Sequence, residues 1–149
     1  MRKTIVFVGL ITFTLSLFGG ECKNGAIKFY NDGVPKIEML PICFKKIGNQ
    51  NALISEKCLM GSCLATQQQK APIVFTKYSM QGNPSFRLCK AVGGNPQLIE
   101  YKTEDIGFTS YNRCLFPDGS FVQTDYLYVI HQKYIVPDSN SRALPHQIK

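Results

Sequence analysis

The chain has 149 residues, with 17 Lys and Arg against 10 Asp and Glu, and a formal net charge of +7 at pH 7. This length allows one compact domain or two very small ones. The positive net charge favours acidic partners. No run of basic residues is longer than the pair Lys45 and Lys46, which argues against a basic surface for binding nucleic acid. We therefore expect no nucleic-acid partner.

The N-terminus has the pattern of a secretory signal. Two basic residues follow Met1, residues 4–18 carry no charge, and a pair of glycines precedes Glu21. An apolar stretch of this length is too short to span a bilayer comfortably. The sequence predicts a Sec-type signal peptide over residues 1–20 and no transmembrane span after its removal. An uncleaved anchor is the alternative.

The cysteines all lie beyond the predicted signal, at Cys22, Cys43, Cys58, Cys63, Cys89 and Cys114. An even number in a small exported chain is typical of a disulfide framework, whereas the same set in a cytosolic chain would indicate metal or redox chemistry. A lipid on Cys22 would leave an odd thiol, and Glu21 stands where lipoprotein signals place a small residue. We predict three bridges, no lipid anchor, and a periplasmic or secreted location.

Residues 21–70 are predicted to form an N-terminal hairpin region that contains cysteines. Apolar runs flank Asp32-Gly33, and this dipeptide between such runs is typical of a tight hairpin turn. The glutamines at 67–69 indicate a loop, which places a domain boundary near residue 70.

Residues 71–136 form the predicted second region. Asn83 and Pro84 at one end, and the glycine pair after Val92 at the other, are typical start and stop signals of a short helix over residues 84–92. Antiparallel strands are predicted around residues 98–101, 108–116 and 121–130, with a turn at 117–119. Residues 137–149 have no periodicity and are predicted to be a flexible tail. The predicted fold class is α+β, with small disulfide-stapled antiparallel hairpins or a sheet and one short helix.

A longer pattern runs through this second region. It consists of Asn-Pro-Ser at 83–85, Cys89, Gly-Gly at 93–94, Cys114 and Phe-Pro-Asp-Gly-Ser at 116–120. The pattern resembles a small exported bacterial domain of unknown function whose members are often labelled haemolysins, and the match covers about residues 80–131. The resemblance implies an envelope or secreted location, an unassigned activity, and a structural bridge between Cys89 and Cys114. The other four cysteines can then pair in three ways.

The residues that could carry chemistry do not form a known catalytic or metal-binding pattern. His131 and His146 are the two histidines, and the sequence has neither His-x-x-x-His nor Cys-x-x-Cys spacing. We expect His131 to be an exposed or half-buried residue at the end of a strand. The acidic group Glu100, Glu104 and Asp105 is expected to be solvated turn residues, because a paired-carboxylate site needs an enclosing cleft. We predict no catalytic residue, no cofactor and no metal.

Tyrosines are dense in the second region, and Tyr101, Tyr111, Tyr126 and Tyr128 form the predicted binding surface. Tyrosine suits such a surface because the ring adds contact area while the hydroxyl stays hydrated. The edge of an ordinary core explains the same residues equally well.

The preferred hypothesis is an exported, non-catalytic binding or envelope-associated module, whose partner is an unknown protein or an anionic envelope component. One alternative is an inhibitor of an exported hydrolase of the peptidase or lysozyme type, since rigid stapled loops lose less entropy on docking. An exposed loop between bridged cysteines, such as residues 59–62, would favour it. A further alternative is a membrane-active, haemolysin-like protein.

Overall fold

The computed structural model describes residues 20–67, 72–75 and 83–137. In these ranges the strands are β1 Gly20–Asn31, β2 Val34–Ile47, β3 Gln50–Ile54, β4 Ile73–Phe75, β5 Asn95–Thr103, β6 Thr109–Leu115, β7 Phe121–Gln123 and β8 Ile135–Pro137. The helices are α1 Glu56–Leu59, α2 Pro84–Ala91 and α3 Tyr126–His131, with 3-10 turns at Leu64–Thr66 and Gln132–Tyr134.

Six of the strands close into an antiparallel barrel in the order β1-β2-β3-β7-β6-β5. The ring is completed because β5 pairs with β1, from Gly25 opposite Thr103 to Phe29 opposite Ile99. Strands β4 and β8 form a separate two-stranded parallel sheet. A closed barrel leaves no unpaired strand edge.

The predicted fold class is therefore wrong. The described residues form a closed antiparallel β-barrel with three short helices, not an α+β arrangement of hairpins or an open sheet with one helix. The physical reason is that hairpin signals are local, whereas closure depends on pairings between strands far apart in sequence. Strands β1–β3 lie before residue 70 and β5–β7 lie after it, and all six belong to the same barrel.

The predicted first hairpin is confirmed. Strands β1 and β2 pair along their whole length, and Asp32 and Gly33 form the turn with φ angles of 50° and 78°. Positive φ at both central residues gives the turn the twist that antiparallel strands need.

Gly25 allows β1 to pair closely with strands on both of its sides. A Cβ atom at this position would collide with the backbone carbonyl oxygen of Lys102 on β5 and would crowd the side chain of Ile42 on β2. A residue without a side chain is therefore required where the barrel closes.

The predicted helix at 84–92 is also confirmed, as α2. The Asn83 side chain accepts a hydrogen bond of 2.9 Å from the backbone N–H of Ser85, and Pro84 occupies the first turn. Gly93 follows the helix with φ of 88°, the left-handed conformation expected at a helix exit.

The predicted strand over residues 121–130 is wrong beyond Gln123. Strand β7 ends there, and α3 follows with Tyr126, Leu127 and His131 buried. These positions share one side of a helix but would lie on different faces of a strand, so the burial pattern fits the helix. The segment pairs with β6 only from Phe121 to Gln123 and with β3 only at Val122, so among the described residues it has no strand partner on either side beyond Gln123.

Two hydrophobic cores result. The barrel core fills the barrel with Ile27, Phe29, Ile42, Leu53, Ile99, Tyr101 and Phe121. The helical core lies between the outside of the barrel wall and the short helices, and it includes Ile54, Leu88, Phe116, Val122 and Leu127.

Three disulfide bridges are present, as predicted. They join Cys22 to Cys43, Cys58 to Cys63, and Cys89 to Cys114, and the last is the pair that the family resemblance implies. All of these cysteines except Cys22 belong to the helical core. The bridges indicate an oxidising, extracellular or periplasmic environment.

Several predictions lie outside the described residues. They are the signal peptide up to residue 19, the exact boundary near residue 70, and the tail beyond Pro137.

Candidate functional site

One end of the barrel opens into a cavity of about 680 Å³, which we call the mouth. Its lining includes Phe44, Lys46, Asn51, Tyr101, Thr103 and Tyr111. Alternate residues of a strand share one face, so Phe44 and Lys46 on β2, and Tyr101 and Thr103 on β5, all face the inside of the barrel.

Aromatic rings form the base of the mouth. The ring centroids of Phe44 and Tyr101 are 5.7 Å apart, and those of Tyr101 and Tyr111 are 5.5 Å apart, both in edge-to-face geometry. Below them the barrel is filled, since Ile27 and Leu53 are fully buried. The mouth is therefore a cup closed by aromatic side chains and not a channel through the barrel.

Tyr111 lines the cup, and its hydroxyl interacts with the Gln123 side chain beside it. Burial raises the pKa of Tyr111, and the nearby Tyr101 and Asp125 raise it further, while a hydrogen bond with Gln123 opposes the shift. Tyr111 therefore stays protonated at neutral pH and can donate a hydrogen bond.

Charged side chains stand on the rim. The Lys23 ammonium lies 2.8 Å from a carboxylate oxygen of Asp105 and 3.6 Å from one of Glu21. The hydrogen bond and charge of Asp105, followed by the charge of Glu21, raise the pKa of Lys23. Lys46 adds a second cation to the lining.

Thr103 contributes a buried hydroxyl. The residue is 7% exposed, and its side-chain oxygen has no hydrogen-bond partner among the described residues. Buried polar atoms nearly always have a partner, either in the protein or in ordered water.

The structure brings together only half of the predicted tyrosine surface. Tyr101 and Tyr111 meet in the mouth, whereas Tyr126 and Tyr128 lie on α3, in or against the helical core. Sequence reasoning missed Phe44, Asn51 and Thr103. Phe44 and Asn51 occupy alternating positions on their strands, but the pattern indicates an inward face only once the barrel is known.

The predicted acidic group is divided between two places. Glu100 lies on β5 and pairs with Lys28 at 2.8 Å. Glu104 and Asp105 line a second cavity of about 480 Å³ next to the mouth, together with Glu56. Glu104 is exposed, as expected of a solvated turn residue.

His131 differs from the expectation of an exposed or half-buried residue. It is fully buried at the end of α3, and neither ring nitrogen makes a well-formed hydrogen bond with the residues described, its one polar contact being with the backbone of Ala65. Burial lowers the pKa of His131, although the backbone of Ala65 opposes this shift. The reason for the difference is that the segment is helical and turns this side chain toward the helical core.

Comparisons with protein-family models, with curated proteins and with solved structures found no match to this chain. The resemblance to the haemolysin-labelled domain therefore stays a prediction. Within residues 20–67, 72–75 and 83–137, no helix has the length and apolar character needed to cross a bilayer. What the fold and the site define is a disulfide-bridged six-stranded β-barrel with an aromatic mouth.

Proposed function

We propose that this protein is an exported, non-catalytic binding module that takes a small ligand in the mouth of its barrel. One observation carries the proposal, namely the cavity of about 680 Å³ with convergent aromatic and polar side chains at the open end of a filled barrel. Ligand sites of barrels are commonly in their mouths, and cavities of about 300–1,000 Å³ are typical of small-molecule sites.

The chemistry of the mouth supports binding more than catalysis. Its carboxylate Glu21 and its cation Lys23 are exposed on the rim, where Lys23 interacts with both Glu21 and Asp105. General acid–base chemistry instead uses groups whose pKa has been moved toward neutrality by an enclosed environment. The pKa of Lys23 moves in the opposite direction, away from neutrality.

The bridges support the proposed location. A protein with three disulfides functions outside the reducing cytosol, so its ligand would be met in the periplasm or outside the cell. The predicted signal peptide is consistent with this location.

The test is an amide-resolved NMR titration of the purified exported protein, with bridges intact, using concentrated native medium or envelope extract. Binding in the mouth should move the amide signals of Phe44, Tyr101 and Tyr111 and leave those of the Asp32-Gly33 turn unchanged. The variant Tyr111→Ala should lose the shifts, while Tyr30→Ala on the distant part of the hairpin should keep them. Shifts confined to surfaces outside the mouth would contradict the proposal.

A second candidate, an inhibitor of an exported hydrolase, is favoured by the loop between Cys58 and Cys63. The bridge closes a short loop that presents Met60 with 70% of its surface exposed. The loop is also fixed to the 117–119 turn, because Asp118 accepts a 3.2 Å bond from the N–H of Leu64 and a 2.9 Å bond from Lys57. A rigid loop with an exposed apolar tip can enter a substrate pocket at low entropic cost.

This candidate is tested by measuring the activity of exported peptidases and lysozymes with and without the protein. The inhibitor hypothesis predicts that Met60→Asp abolishes inhibition, whereas Tyr111→Ala has no effect. Inhibition that depends on Tyr111 and not on Met60 would instead point to the mouth.

A further inference from the structure

We infer that the mouth binds a neutral carbohydrate of one or two sugar rings. This inference rests on the proposed function, because it names the ligand class of the same site. It is carried by three properties of the mouth: aromatic rings without a net charge around them, hydrogen-bonding groups of both polarities, and a volume of about 680 Å³, which lies within the usual range of small-molecule sites.

The aromatic base of the mouth fits the apolar side of a sugar. A pyranose ring has a face of C–H groups and a rim of hydroxyls, so it packs on an aromatic ring while its edge remains polar. Phe44, Tyr101 and Tyr111 are arranged edge to face, which gives the cup rings in more than one orientation.

The charges of the rim favour a neutral ligand. The lining carries Glu21, Lys23 and Lys46, and Asp105 beside it pairs with Lys23 at 2.8 Å, so the charges of these two cations and two anions sum to zero. The chain as a whole is basic, but this excess is not concentrated in the mouth. A polyanion or a phosphate would find no uncompensated cluster of cations there.

The hydrogen-bonding groups match hydroxyls. A sugar hydroxyl donates and accepts at the same time, and the mouth offers the Asn51 amide, the buried Thr103 hydroxyl, and the Tyr111 hydroxyl, which also bonds to Gln123. Thr103 has no partner among the described residues, so a ligand hydroxyl would satisfy a group that is otherwise costly to bury. A purely apolar ligand would leave it unsatisfied.

The experiment is an NMR titration of the exported protein with defined probes. Cellobiose, maltose and N,N′-diacetylchitobiose are the neutral sugars, digalacturonic acid is the anionic sugar, and benzoate is the aromatic anion. At least one neutral sugar should shift the amides of Phe44, Asn51 and Tyr111, and added salt should leave its affinity unchanged.

Variants separate the contributions. Tyr111→Ala should weaken sugar binding by about tenfold or more, and Tyr111→Phe should weaken it less because the ring is kept. Thr103→Val should also weaken binding, because it removes a hydroxyl that can bond to the sugar. Tyr30→Ala is the matched control, since this tyrosine is exposed on the hairpin away from the mouth, and it should leave the affinity unchanged.

The outcomes distinguish the inference from the proposed function. If digalacturonic acid or benzoate shifts the mouth amides and no neutral sugar does, the ligand class is wrong while the mouth remains a binding site. If neutral sugars shift only amides outside the mouth, the inference is overturned and the proposed function loses its site. Sugar binding that Tyr30→Ala removes and Tyr111→Ala keeps would overturn both.

Discussion

Among the described residues, the barrel core and the helical core each bury one side chain that can carry a positive charge, Arg113 beside the first and His131 in the second. The Arg113 guanidinium donates a 2.8 Å hydrogen bond to Gln97 and lies 3.4 Å from a carboxylate oxygen of Glu38. It also lies 5.2 Å from the ring centroid of Phe29 and 5.1 Å from that of Phe121. His131 has no comparable partner among the described residues.

This difference shows that the two cores are held together in different ways. The barrel core rests on a closed hydrogen-bonded ring, which can position polar partners from several strands around one cation. The helical core joins short helices to the barrel wall and depends on covalent bridges, since helices of four to eight residues are marginal alone.

The largest expected effect tests the role of the bridges in the helical core. The double variant Cys89→Ala, Cys114→Ala removes a disulfide bond between residues separated by 25 positions in the sequence. Its loss should lower the free energy of unfolding by about 3.5 kcal/mol. Cys58→Ala with Cys63→Ala is the matched control, because its separation is 5 and the same relation gives about 2 kcal/mol. Denaturant unfolding measures both. A larger loss in the short loop would contradict this account.

The next effect tests closure of the barrel. Gly25→Ala should lower the free energy of unfolding by about 1–3 kcal/mol, because the added methyl group meets the Lys102 backbone, which cannot move without disturbing the sheet. Gly107→Ala is the control, since a Cβ atom there would meet nothing within 4 Å, and it should be nearly neutral. Equal effects in thermal unfolding would show that Gly25 is not a point of close approach.

A smaller effect concerns pH and separates the two buried cations. The pKa of His131 is lowered from 6.5 by burial, so the unfolded chain binds a proton more readily than the folded one. His131 therefore contributes full stability above pH 6.5, and stability should fall as the pH decreases below it, by at most about 1.4 kcal/mol per pH unit.

Urea unfolding at a series of pH values measures this dependence. His131→Leu should remove the part of the slope that lies just below pH 6.5. If the free energy of unfolding still depends on pH in the same way in the variant, the dependence arises from other groups.

The smallest effect is expected from Arg113→Met. Methionine keeps much of the apolar contact with the two rings, and Glu38, whose side chain is 50% exposed, can return to water. The cost should be about 1 kcal/mol or less, whereas Arg113→Ala should cost about 3 kcal/mol because it leaves a cavity. Equilibrium unfolding of the two variants distinguishes the role of packing from the role of charge.

Features set by neighbouring residues could be predicted from the sequence. Asp32-Gly33 specifies its turn, and Asn83 with Gly93 specifies α2, because these residues act on the backbone next to them. The pairings Gly25 with Thr103 and Ile54 with Val122 close the barrel, and no local signal selects such distant partners.

The same limit applies to the candidate site. Tyr101 and Tyr111 could be selected by residue type, and they do lie together. Phe44 and Thr103 lie beside them only because the barrel closes. Tyr126 lies in the helical core because its segment forms α3, although its β-forming residues indicated a strand.

The seam between β3 and β7 has a consequence for the order in which the chain folds. It contains a single ladder pair, Ile54 with Val122, supported by two bonds of Ser55 to the backbone of Phe121, at 2.8 and 3.1 Å. The β1-β2 and β5-β6 hairpins need only short chain segments to meet, while this seam must close a long loop before it gains any contact. We expect the hairpins to form early and the contacts of the seam to form last. Ser55 variants should therefore change the rate of unfolding more than the rate of folding.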